Sequence, residues 1–162
     1  MSLKHLTNYV KALNDEIKKS LIWYTGVEFV NFNKKLRENT GLNKIEKTHY
    51  NNIIKAFEGA PFLTEQITVY RGVNKDMNLS SKSFISTSLH PRVAMKFIDK
   101  KKRCCIYDII ILPGKISVLP LEGISINKGE HEILLPLDGS LKVLDIILAE
   151  NDDQGIKRYN AI

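Results

Sequence analysis

The chain has two cysteines, and they are neighbours, Cys104 and Cys105. Adjacent strand residues point to opposite faces and a bridge between them would be strained, which excludes a disulfide framework. We read them as reduced thiols in an apolar strand. No apolar run approaches the roughly 18 residues needed to span a bilayer. Met1-Ser2-Leu3-Lys4-His5 leads into an amphipathic pattern with no secretory core or cleavage site. The expectation is a protein without membrane association, cytoplasmic in the cell that makes it or in an infected or target cell. The four histidines, His5, His49, His90 and His131, lack metal-ligand spacing, so no metal is expected. Gly-x-Gly-x-x-Gly and P-loop patterns are missing, as is the βαβ alternation of a doubly wound fold. Any nucleotide must bind by another route. Internal repeats, low-complexity segments and linkers are also lacking.

What is present describes one ordinary globular domain over residues 1–162. The chain is 43% hydrophobic and 26% charged, long enough to bury a core. The net charge of +6 suits a polyanion or simple solubility. Lys100-Lys101-Lys102-Arg103 is the dense basic run, and it reads as a solvated turn; no stable nucleic-acid complex is expected.

Residues 1–60 read as a helical layer. Leu3, Leu6, Val10, Leu13, Ile17 and Leu21 recur at steps of three and four, one face of a helix. A second helix follows Thr25-Gly26, carries Phe29, Phe32 and Leu36, and ends near Gly41. Tyr50, Ile53, Ile54 and Phe57 mark a third, stopped by Gly59 and Pro61. Residues 66–150 read as a β core. Strands are expected at Ile67–Arg71, Ser83–Ser88, Cys104–Leu112, Ile116–Leu119, Glu132–Leu135 and Leu141–Leu148. A short helix opens at His90-Pro91 and runs through Phe97. Helices first and strands after predict an α+β fold, a helical layer on mainly antiparallel sheet.

The most informative segment is Gly129-Glu130-His131-Glu132-Ile133-Leu134-Leu135-Pro136. Were it all strand, the period of two would put both carboxylates on one face and His131 on the other. Paired carboxylates suit chemistry at a sugar carbon, one stabilising positive charge and the other handling a proton or orienting an acceptor. Two elements precede it: Tyr70-Arg71-Gly72 at a strand end and Phe84-Ile85-Ser86-Thr87-Ser88 on a second strand.

In this order of arginine, serine-rich strand and paired glutamate the chain resembles the mono-ADP-ribosyltransferases of the toxin exoenzyme type. Tyr24-Thr25-Gly26 followed by Asn33-Lys34-Lys35-Leu36-Arg37 is similar to that family's Tyr-Thr and Asn-x-x-Leu-Arg helix. Phe97, eleven residues beyond Ser86, stands where the family places an aromatic against nicotinamide. The resemblance covers roughly residues 20 to 150.

The resemblance implies an N-terminal helical layer packed on two mainly antiparallel β-sheets that cradle NAD as substrate. ADP-ribose would move to a protein acceptor through an oxocarbenium-like transition state, with release of nicotinamide. Glu132 would bind the ribose hydroxyl and stabilise the cation. Glu130 would orient and deprotonate the nucleophile, and a glutamate there goes with arginine acceptors. Arg71 would bind the phosphates, Gly72 would allow close backbone approach and hold the carboxamide, and Ser86 would fix Glu132. Phe97, Asn33 and Arg37 would add contacts to NAD. The loop Leu121–Asn127 departs from the pattern: Asn127 stands where many relatives carry a target-recognising aromatic. The expected partner is a protein with an accessible arginine, and the expected state is a monomer. Two alternatives stay open: an NAD glycohydrolase with water as acceptor, and a catalytically silent basic binding module.

Overall fold

A computed structural model describes residues 1–26, 28–74, 82–98, 104–137 and 157–161; of Asn74, Cys104 and 157–161 only the backbone is described. The expected strand Leu141–Leu148 and the basic run at 100–103 lie outside the described residues. Four helices lead the chain: α1 Leu3–Ala12, α2 Asp15–Thr25, α3 Phe29–Glu38 and α4 Lys44–Gly59. There follow β1 Ile67–Asn74, β2 Ile85–Ser88, α5 Pro91–Lys96, β3 Cys104–Ile111, β4 Leu119–Pro120, β5 Glu132–Leu135 and β6 Lys157–Ala161. Among the described residues no helix is long and apolar enough to cross a membrane.

The apolar stripe from Leu3 to Leu21 is two helices, not one. Leu13 turns extended, and the Asn14 side chain accepts from the Ile17 amide at 2.9 Å. This caps a new helix whose first turn carries Asp15 and Glu16 against the macrodipole. Likewise α3 stops at Asn39, left-handed at φ 52°, before Gly41 is reached. At Ile116–Leu119 the expected strand shrinks to the two residues of β4.

The described strands form one hydrogen-bonded sheet in the order β4-β5-β2-β1-β3-β6, antiparallel except β3 with β6. Its centre is a hinge. β1 and β3 pair from Ile67↔Ile111 to Asn74↔Cys104, and β2 and β5 from Ile85↔Leu135 to Ser88↔Glu132. Between β1 and β2 the register holds one pair, Tyr70↔Ser88. The expected two sheets are thus joined through that one pair into a single sheet, and residues of both halves share one core. Val69 and Val73 of β1, Cys105, Tyr107, Ile109 and Ile111 of β3, and Ile133 and Leu135 of β5 share that core.

Strand alternation sends the other residues of β2 and β5 toward the helices. Leu134, Phe84 and Leu121 join Tyr24, Phe32 and Phe57 in a second core. Phe84 is its hub, with Phe57, Tyr24 and Phe32 rings at 5.8, 5.9 and 6.2 Å. Ser86, Ser88 and Glu132 lie on this same helix-facing side, at the end where the sheet divides.

Candidate active site

A cavity of about 930 Å³ opens between the end of α2, the parting strands β1 and β2, helix α5 and the loop before β5. The volume lies at the upper end of the usual range for small-molecule sites. Arg71, Gly72, Ser86, Phe97, Glu130 and Glu132 all line it. Asn33 and Arg37 do not. The Asn33 amide is buried behind Tyr24, donating to its hydroxyl at 2.7 Å, and Arg37 reaches the Ser83 hydroxyl at 3.4 Å. Asn33 therefore stands in the layer behind the cavity wall, and neither side chain is part of the lining. Among the described residues no group of three or more His, Cys, Asp or Glu side chains could hold a metal.

Glu132 is the first residue of β5 and only 7% exposed. Burial pushes its carboxyl up to about 7; the Glu130 charge adds to this, while a Ser86 hydrogen bond and Arg71 pull the other way. Ser86 lies diagonally across the β2–β5 ladder, since Ser88 is opposite Glu132 and Ser86 opposite Leu134. The Ser86 and Tyr24 hydroxyls are also hydrogen-bonded to each other at 3.3 Å. Tyr24 has no exposed surface, and burial pushes its phenol up to about 12, so it stays neutral. The Ser86 carbonyl accepts from Arg71 Nη1 at 2.7 Å. Burial lowers the Arg71 pKa, with Tyr24 opposing, the Arg37 charge adding and Glu132 opposing. Arginine, serine and glutamate thus meet at the hinge of the sheet, with Tyr24 beneath them.

Glu130 reaches the cavity from the loop entering β5, as the expected strand start at Glu132 requires. The strand begins only at Glu132, and His131 sits at φ 45°, outside any β conformation. The turn brings the two carboxylates to one cavity, while the His131 ring lies edge-on to His90 at 4.6 Å. Burial raises the Glu130 pKa, Glu122 raises it further and Lys96 lowers it.

Gly72 is needed for packing. A Cβ there would meet the Ala94 carbonyl oxygen at 2.2 Å and Ile98 Cγ2 at 2.8 Å. The missing side chain lets α5 lie against β1 and so sets where Phe97 stands, at the cavity rim and 53% exposed. Asn127, in the place of the absent aromatic, ties its loop to the end of α2: its Nδ2 donates to the Thr25 carbonyl at 2.8 Å. The sequence motifs single out no contact for Glu122 or Ser88. Both bond the backbone around Glu130. No local pattern around Glu122 announces this, because the turn that brings it there is set by tertiary contacts.

The family model described as ADP-ribosyltransferase exoenzyme matches residues 2–82. The chain is 28% identical over 144 residues to the secreted exoenzyme S of Pseudomonas aeruginosa, covering 83% of this chain and 29% of that protein. It therefore spans less than a third of that relative's length. Among solved structures it is similar to exoenzyme S from Pseudomonas aeruginosa in complex with human 14-3-3 protein beta and bound to carba-NAD. That match has 23% identity and a TM-score of 0.75, over 98% of this chain and 86% of that one. The Clostridium limosum C3 exoenzyme gives 22% identity and a TM-score of 0.75, over 98% and 89%. These likenesses show the fold. The chain belongs to the ADP-ribosyltransferase exoenzyme family.

Proposed function

We propose that this domain uses NAD as its substrate and transfers ADP-ribose to an arginine of a protein acceptor. The observation that carries this is the buried Glu132 carboxyl beside Ser86 and Arg71, with Glu130 on the same cavity. The carba-NAD in the exoenzyme S structure supports the choice of dinucleotide. Nicotinamide is already a good leaving group, so catalysis is chiefly positioning and electrostatic stabilisation. Arg71 offers a fork of donors matched to phosphate. Glu132, once ionised, bonds a ribose hydroxyl and faces the positive charge that grows at C1′. The C1′–N bond breaks and nicotinamide leaves with the electron pair. The guanidine nitrogen attacks C1′, and its proton passes to Glu130. A planar guanidinium pairs well with that carboxylate, which favours arginine over other acceptors. Phe97, exposed at the rim, would pack against the nicotinamide ring.

The test uses labelled NAD and agmatine, a small guanidino acceptor, with wild type, Glu130→Gln and Glu132→Gln. Wild type should modify agmatine and release nicotinamide. Glu132→Gln should lose both activities, and Glu130→Gln should lose transfer far more steeply than hydrolysis. Nicotinamide release without transfer in wild type would instead point to water as the acceptor. A folded wild type that consumes no NAD would favour the silent basic module.

A further inference from the structure

The loop that presents Glu130 is gripped through its backbone by a side chain outside the cavity. Glu122 Oε1 accepts from the Gly129 amide at 2.7 Å, and its Oε2 accepts from the His131 amide at 3.1 Å. The two amides flank Glu130 on either side. Gly129 and His131 both have positive φ, 86° and 45°. Successive amides in such a turn form a concavity that binds anions, and here the anion is supplied by the chain itself. The Ser88 hydroxyl donates to the Glu130 carbonyl at 2.6 Å, and the Leu89 amide donates to that of His131 at 3.2 Å. With amides and carbonyls held, the Glu130 side chain is the part of this turn that faces the cavity.

Glu122 is itself well anchored. Leu121 before it is fully buried, and its amide donates to the Glu132 carbonyl at 2.9 Å. Lys128 Nζ donates to the Glu122 carbonyl at 2.7 Å. Burial pushes the Glu122 carboxyl up, but the Gly129 and His131 amides, with His131 and Lys128, outweigh it and hold it below the ordinary carboxylate value. It is therefore a charged acceptor throughout the neutral range. Each bond from it is of the stronger, charge-assisted kind.

We infer that Glu122 is a positioning residue for the acceptor step: it clamps the two amides flanking Glu130 and aims that carboxylate at the incoming guanidine. This rests on the acceptor role proposed above for Glu130. Glu132, held in the β2–β5 ladder, depends on the clamp far less. Loosening the clamp therefore penalises transfer more than cleavage of NAD.

The test compares wild type, Glu122→Gln, Glu122→Asp and Glu130→Gln with NAD and agmatine. Glutamine keeps the volume but can accept from only one of the two amides, and aspartate keeps the charge with a shorter reach. The ratio of transfer to hydrolysis should fall about 10- to 100-fold in Glu122→Gln, the usual cost of misplacing a reacting group by about 1 Å. Glu122→Asp should fall between that variant and wild type. A ratio lowered by Glu130→Gln but untouched in both Glu122 variants would overturn the clamp. A ratio insensitive to Glu130→Gln would instead overturn the acceptor reading. The clamp is then judged by amide hydrogen exchange at Gly129 and His131. Exchange at least about tenfold faster in Glu122→Gln, with core amides such as Ile109 unchanged, upholds it; equal exchange refutes it.

Discussion

Removing the Glu132 charge should stabilise the protein while destroying its chemistry. The carboxyl is 7% exposed and its pKa is raised from the ordinary 4.5 to about 7, burial being the leading cause. The folded state therefore holds this proton more tightly than the unfolded chain does. Stability contributed by the neutral form is fully present below pH 4.5 and is lost as pH rises through about 7. At about 1.4 kcal/mol per pKa unit the loss comes to about 3 kcal/mol at pH 8. Glu132→Gln escapes it, keeping the shape and the hydrogen-bonding side chain without the charge. In the absence of NAD, urea melts should show wild type and variant equally stable at pH 4. The variant should gain steadily to about 3 kcal/mol at pH 8, or roughly 6–12 °C in melting temperature for a domain of this size. Other carboxylates titrate in both proteins, so the difference isolates this one. A variant destabilised at pH 8, or a difference that does not change with pH, would refute the reasoning.

Glu130→Gln removes a like charge beside Glu132 and should lower its pKa. The acid limb of the nicotinamide-release profile, expected near pH 7 in wild type, should move to lower pH; an unmoved limb would mean the two carboxylates are not coupled. Gly72→Ala drives a methyl into the Ala94 carbonyl, 2.2 Å away. A urea melt should record a loss of about 1–3 kcal/mol, accompanied by a higher KM for NAD as Phe97 shifts. Tyr24→Phe leaves the buried Asn33 amide without its partner, beside an Asn33 Oδ1 that already has none among the described residues. The expected cost is about 1–3 kcal/mol in stability, with reduced turnover because Ser86 loses the hydroxyl beneath it.

Much of this was legible where local chemistry decides structure. Glu132–Leu135 is β5 as expected, and Pro91 opens α5 as a proline at the first helical position should. The arginine, serine and glutamate lie far apart in the chain yet meet on one cavity, as the resemblance implied. Periodicity misled where a cap overrode it: the stripe from Leu3 to Leu21 hides the Asn14 break, although Asn14-Asp15-Glu16 carries the capping signal. Glu130 stands just before β5, as the expected strand start at Glu132 requires, but the positive φ of His131 that shapes the turn is announced by no pattern of apolar residues. Asn33 and Arg37 carry the expected motif but do not line the cavity, and helix α3 turns Asn33 toward Tyr24. The Glu122 clamp was invisible because it joins a turn to a loop by side chain to backbone bonds, which leave no periodic trace. The single-pair junction at Tyr70↔Ser88 is likewise a tertiary fact that no local pattern announces.

In the proposed reaction the buried Glu132 carboxylate stabilises the cleavage of NAD rather than its binding. The most direct measurement is nicotinamide release by wild type and Glu132→Gln at pH 8, with NAD affinity measured in parallel by calorimetry. The account predicts a fall in kcat of at least about 100-fold, the scale on which losing an electrostatic stabiliser of a transition state is felt, with NAD affinity within a few-fold of wild type. A variant that cleaves NAD at close to the wild-type rate, or that loses activity only because NAD no longer binds, would contradict it.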